Sequence, residues 1–287
     1  MGITNKEVPL VQFSLEIKSG QLLETKEKAG VANLLANLMN RGTAKKTPAE
    51  LEEAIELLGA RIYVSSSEEK ISITGNTLAK NYAETMKLVD EMLLQPRWDE
   101  SEFELIKQQT LSRIKQQEGD PNNIASNEFR KLVYGENSIL SMNEMGTTES
   151  VENITLNDLK AYYSENLSPL NATYLVVGDL NLEKAKNSLK AISASWPPKT
   201  VDFPEIPEFE APEKSLIYFY DVPGAKQSVL TFGAPALSAS DKDFYAAEVM
   251  NYRLGGGSFA SRLTQELREG KGYTYGIRSR FEDRSYI

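Results

Sequence analysis

Val11, Phe13, Leu15 and Ile17, apolar at every second position, give one hydrophobic face to a strand between Val8 and Ile17. The spacing then changes. From Gly30 to Arg41, Val31, Leu34, Leu35, Leu38 and Met39 recur at helical intervals, and Gly42 offers a C-terminal stop. Thr47-Pro48-Ala49-Glu50 combines an N-cap, a first-turn proline and a capping-box glutamate, which predicts a second helix to Leu58, ended by Gly59. Two short strands follow, Arg61–Ser65 and Lys70–Asn76, the latter alternating through Ile71 and Ile73. Helical spacing returns from Ala79 to Leu94 and is broken at Pro96, and Asp99 caps a further helix to about Gln117. Helices near Ile124–Val133 and Thr155–Tyr163, an apolar strand Ala172–Val177 and a helix Leu182–Ser193 complete this part of the chain.

Residues 196–213 differ in character. Pro197, Pro198, Pro204, Pro207 and Pro212, with acidic residues between them, read as a stiff linker. Beyond it the strand-strand-helix order restarts as Lys214–Asp221, Gln227–Ala234 and Phe244–Arg253. Gly255, Gly256 and Gly257 then lead to a predicted helix Phe259–Glu269 and a strand from Gly272 to Phe281. The expected fold class is α+β: two related αβ lobes, each an antiparallel-rich sheet with helices packed on one face. The first lobe is expected over residues 1–195 and a partial, truncated second lobe over 214–287. The chain starts almost on a strand and stops just after another, so a segment of a longer protein is expected.

Composition narrows the chemistry. The 287 residues carry a net charge of −9, with Lys and Arg scattered along the chain, so nucleic-acid binding is disfavoured. There is no cysteine, which removes disulfides and thiolate chemistry. There is no histidine either, which removes a Ser-His-Asp triad and any histidine-bound zinc. No apolar run approaches the ~20 residues that cross a bilayer, and Met1–Lys6 does not resemble a signal peptide. A soluble protein is expected, and bacterial periplasm and cytoplasm suit it equally.

Four stretches, in order, resemble the pitrilysin, insulin-degrading enzyme and mitochondrial processing peptidase family of zinc metallopeptidases. They are GVANLLANLMNRGT from Gly30, FELIKQQTLSRIKQQEGDP from Phe103, NATYLVVGDL from Asn171 and GGGSFASRLTQELREGKGYTYG from Gly255. The first is similar to that family's zinc helix, which carries the HxxEH signature. Here Asn33 and Asn37 stand at the two histidine positions, Ala36 at the glutamate, and Arg113 where the third ligand falls. Asparagine amides are feeble zinc ligands, alanine cannot take a proton, and an arginine repels the metal. The resemblance therefore implies a non-catalytic half that binds no metal itself, with zinc, HxxEH and hydrolysis supplied by a partner half in the same longer chain or a separate subunit.

The last stretch resembles the segment that lends an Arg/Tyr pair to the zinc site across the chamber. Arg268 and Tyr275 match its spacing of seven. Gly270 and Gly272 between them let the chain reverse, so both side chains can point at one locus. The resemblance implies that Arg268 grips a peptide carbonyl or carboxylate and Tyr275 donates to the oxyanion of a tetrahedral intermediate. Taken without the resemblance, Arg268 is a helix-end cation favoured by the dipole and Tyr275 a packed strand aromatic, with Tyr273 its companion. Gly255, Gly256 and Gly257 lack the Lys-Ser/Thr of a P-loop, and are read instead as a tight turn where a peptide substrate approaches the backbone. Two other functions stay open: an inert structural subunit of a larger complex, and a peptide-binding module without a catalytic partner.

Overall fold

In the computed structural model, which describes residues 1–205, 214, 216–234, 236–239 and 241–282, the expected α+β class is observed. Two compact units are present: 1–205 with 218–232, and 206–217 with 233–287.

The first unit is built on a five-stranded sheet of β1 (Gly2–Thr4), β2 (Leu10–Lys18), β3 (Arg61–Ser66), β4 (Lys70–Leu78) and β5 (Ala172–Gly178), in the order β1-β5-β2-β4-β3. β2 pairs antiparallel along its whole length with β4, from Leu10↔Leu78 to Lys18↔Lys70, and antiparallel with β5 on its other side. Strand side chains alternate between faces. Val11, Phe13, Leu15 and Ile17 therefore join Ile71 and Ile73 in the core, all 4% exposed or less. On the opposite face the register aligns polar rows: Arg61, Asn76 and Gln12 in one, Tyr63, Thr74 and Ser14 in the next.

The helices are α1 (Val31–Met39), α2 (Pro48–Leu57), α3 (Tyr82–Leu94), α4 (Glu100–Glu118), α5 (Pro121–Tyr134), α6 (Thr148–Asn153), α7 (Leu156–Asn166) and α8 (Leu182–Ser195). Caps set several of their starts. Thr47 and Glu50 form the predicted capping box of α2, and Asp99 accepts from the N–H groups of Ser101 and Glu102 to open α4. Leu34, Leu35, Leu38 and Met39 of α1 are wholly buried, together with Val89 and Leu93 of α3 and Leu159 of α7. No helix among the described residues is long and apolar enough to cross a membrane.

Two elements escape the hydrophobic pattern. β1 has three residues and no alternation, and is held parallel to β5 through backbone bonds such as Val176 N–H to Met1 O, 3.1 Å. α6 is a single capped turn and a half, nucleated by the Thr147–Ser150 capping box. The proline-rich stretch is not free at its beginning. Trp196 is buried in the core, and the Ser168 hydroxyl donates to Lys199 O at 2.6 Å while accepting from Lys199 N–H at 3.0 Å. Residues 206–213 of that stretch lie outside the described residues.

The second unit contains α9 (Phe244–Asn251), followed by wider π-type turns at Tyr252–Gly256 and Thr264–Gly270. The strands expected at 214–221, 227–234 and 272–281 are not formed among the described residues. Alternation supplies a strand with a face, but a ladder also needs a neighbouring backbone for its N–H and C=O groups. None of these stretches forms such a ladder among the described residues. Ile217, Phe219, Leu230 and Phe232 accordingly remain exposed.

Truncating the core should register in full. Leu35→Ala is expected to lower the unfolding free energy by about 2–5 kcal/mol, read as a lower denaturation midpoint at unchanged slope.

Candidate functional site

The N-terminus of α1 is fastened by a carboxylate. Glu24, at the end of the turn Gly20–Leu23, accepts from Gly30 N–H at 2.9 Å and Ala32 N–H at 2.8 Å. These are donors at a helix start that have no partner within the helix, and the carboxyl oxygens satisfy them. Gly30 has φ of 99°, and a side chain there would press into the Met145 carbonyl, so the chain enters α1 through a glycine of necessity. The turn itself is held by Tyr162, whose buried hydroxyl donates to Gly20 O at 2.7 Å. Burial pushes the Glu24 carboxyl up to about 8, against its two N–H bonds, and Glu144 adds to the rise.

Along α1 the degenerate positions satisfy one another. The Asn37 amide donates to Asn33 O at 2.8 Å and to Asn33 Oδ1 at 3.1 Å. Both asparagines are half-buried and Ala36 is buried between them. Where two imidazoles would aim lone pairs at one ion, the two amides share a bond, and alanine leaves no carboxylate to activate water. Arg113 lies on the exposed side of α4. Zinc does not fit this set. Among the described residues no group of three or more acidic side chains is disposed to hold a metal ion.

One turn on, Asn40 ends α1 and reaches the sheet. Its amide nitrogen donates to Ala36 O and to Val64 O, both at 2.8 Å, and its Oδ1 accepts from Val64 N–H at 2.9 Å. A residue with no place in the metal motif thus joins the helix to β3. Its sequence signal was slight, a polar residue at the end of an apolar stripe. Glu24 was equally hard to find, being a lone acid ahead of the helix.

In the second unit, Arg268 lies in the π-type turn Thr264–Gly270 and is half-buried. Its guanidinium sits 4.7 Å from the centre of the Phe259 ring, and its Nε is 3.5 Å from Glu269 Oε1. The chain then reverses as expected. Gly272, with φ of 64°, gives its N–H to Arg268 O, and Tyr273 N–H bonds Leu267 O. Tyr275 follows, 88% exposed, so its phenol is open to a ligand rather than packed. Arg268 and Tyr275 share no hydrogen bond. Tyr273 is not packed with Tyr275 as a strand companion, since the strand is absent; its ring lies 5.8 Å from Lys271 Nζ.

The glycine turn divides. A Cβ on Gly255 would collide with Ser279, whose carbonyl accepts from the Asn251 amide and whose hydroxyl donates to Asn251 Oδ1 at 2.6 Å. Gly255 is therefore a packing glycine, buried where two backbone segments meet. Gly257 is crowded by Tyr252 O, whereas Gly256 is exposed and has atoms of Asn251 as its nearest neighbours. Residues 252–282 carry Arg253, Arg262, Arg268, Lys271, Arg278 and Arg280 against Glu266, Glu269 and Glu282, a positive stretch in a chain of net charge −9.

Comparison with known proteins finds relatives along nearly the whole chain. Residues 3–141 match the family model described as "Insulinase (Peptidase family M16)", and residues 153–286 match "Peptidase M16 inactive domain". The chain is 28% identical over 282 residues to the "Non-peptidase homolog YmxG" of Helicobacter pylori, covering 96% of this chain and 64% of that protein. It is 25% identical over 275 residues to the "Uncharacterized zinc protease YmxG" of Bacillus subtilis, covering 96% and 66%. It thus spans just under two thirds of the length of these relatives. A solved peptidase M16 inactive domain from Pseudomonas fluorescens superposes with a TM-score of 0.86 at 25% identity, over 98% of this chain and 68% of that one.

The titration of Glu24 has a definite sign. Its folded value lies above the ordinary carboxylate range, so its contribution to stability is complete at acid pH and is lost as pH rises through about 8. Melting temperature should fall over that interval, and Glu24→Gln, neutral at every pH, should flatten the slope.

Proposed function

Because this chain belongs to peptidase family M16 and its zinc positions are emptied, we propose that it is the non-catalytic half of a zinc-dependent endopeptidase or oligopeptidase. It would form a peptide-binding chamber with a separate zinc-bearing half, in the same longer chain or as another subunit. The observation that carries this reading is a pairing. A metal helix with asparagines and an alanine at its working positions coexists with Arg268 and Tyr275, seven apart around a glycine reversal, the tyrosine exposed.

Each group has a chemical task in that reading. Stacked on Phe259, the Arg268 guanidinium keeps an edge of N–H donors for a peptide carbonyl or carboxylate. The Tyr275 phenol donates to an oxyanion that appears in the tetrahedral transition state. The positive stretch around them favours the carbonyl-rich, carboxylate-ended face of a peptide. In the first unit, the polar rows on the open face of the sheet suit a chamber wall that touches peptide without a hydrophobic trap. Zinc and the base that activates its water belong to the partner half, and no step of hydrolysis is assigned to α1.

A second reading is a catalytically inert structural subunit of a larger complex, favoured by the absence of every metal-site residue and by the non-peptidase description of the Helicobacter relative. Mutagenesis of the assembled protein separates the two. Arg268→Ala should raise KM, and Tyr275→Phe should lower kcat by on the order of a hundredfold, a loss of ~3 kcal/mol of transition-state stabilisation. Unchanged peptide cleavage and binding in an intact assembly would leave the structural subunit as the better account.

A further inference from the structure

β3 is the last strand of its sheet, paired with β4 on one side. In an antiparallel pair alternate residues turn their N–H and C=O groups toward the neighbour and the rest turn them away. The Val64 groups point away from β4, so by alternation the outward set is Ile62, Val64 and Ser66. An edge of this kind is a template for a further strand, and folded proteins commonly block it.

Here the central outward position is filled. The Asn40 side chain gives Val64 one donor and one acceptor, at 2.8 and 2.9 Å. This is the same two-bond exchange that one residue of an added strand would make. A third bond, from the Asn40 amide to Ala36 O at 2.8 Å, anchors the side chain to the last turn of α1. An incoming peptide would have to break both Val64 bonds and strand an amide in a half-buried site, which is unfavourable.

We propose that Asn40 is a built-in competitor for strand addition, closing the edge of β3 beside the emptied helix to an extended peptide. The amide imitates one residue of the missing strand and is already in place, tethered to a helix that is fixed by its own core packing. The chain therefore does not hold peptide at this edge. This goes beyond the proposed function, because it concerns where in the first unit a peptide is refused, and it stands whether or not Arg268 and Tyr275 grip one.

The test uses the full-length protein and a fluorescein-labelled octapeptide of alternating serine and valine. Measured in an Arg268→Ala, Tyr275→Phe background, so that peptide held by the second unit does not register, the protein with Asn40 intact should give no saturable anisotropy change. Asn40→Ala should bind the probe at least tenfold more tightly, or self-associate through the opened edge, read by light scattering over a dilution series. A cooperatively folded Asn40→Ala protein with wild-type affinity and wild-type mass overturns the proposal. A measurement on the wild type covers the case in which that variant does not fold. Amide hydrogen exchange at Ile62, Val64 and Ser66 should be the same with and without excess probe, and slowing at Ile62 and Ser66 on adding it overturns the proposal equally.

Discussion

The register of β2 between β4 and β5 is the constraint on which the first unit depends. Along β2, nine residues pair with β4 and seven with β5, and the side-chain period is two. A slip of one residue would turn Phe13 and Leu15 to solvent and bring Gln12, Ser14 and Glu16 under the helices. The helices follow from that choice of face. α1 lies against it through Leu34, Leu35 and Leu38, and the glycine at its entry and the asparagine at its exit connect to elements whose places the sheet has already determined.

Legibility in the sequence tracks how local the determining interaction is. β2, β4, α1 and the capped helices α2 and α4 were readable because period, cap and stop lie within a few residues of each other. β1 was not, since its three residues, Gly2, Ile3 and Thr4, become a strand through bonds to residues more than 170 positions away. Beyond the linker, 227–234 carries the apolar residues Val229, Leu230 and Phe232, yet apolar residues without a paired backbone do not make a ladder. Asn33, Ala36 and Asn37 were legible residue by residue as poor metal ligands, but the bond between the two amides was not, because it depends on rotamers. Gly255 shows the opposite error: a glycine assigned to ligand approach turns out to be required by Ser279.

The functional picture is a division between two regions of one chain. In the first, polar groups that could meet a metal or a peptide are turned on each other or on the backbone: Asn37 on Asn33, Asn40 on Val64, Glu24 on the helix start. In the second, cationic and aromatic groups are left open to solvent, with Tyr275 and Tyr273 largely uncovered. Inward satisfaction suits a wall, and outward availability suits a grip.

The Asn37–Asn33 bond also bears on history. A single exchange of either residue for histidine would remove the side-chain bond between them, although the carbonyl of residue 33 would still be there to accept from position 37, and would still leave one imidazole without a companion. Each step back toward a metal site thus begins with a loss of fit, while the benefit arrives after several changes together. Two imidazoles and a carboxylate would have to arrive together before this helix could meet a metal, so its present arrangement is separated from a metal site by several changes rather than one.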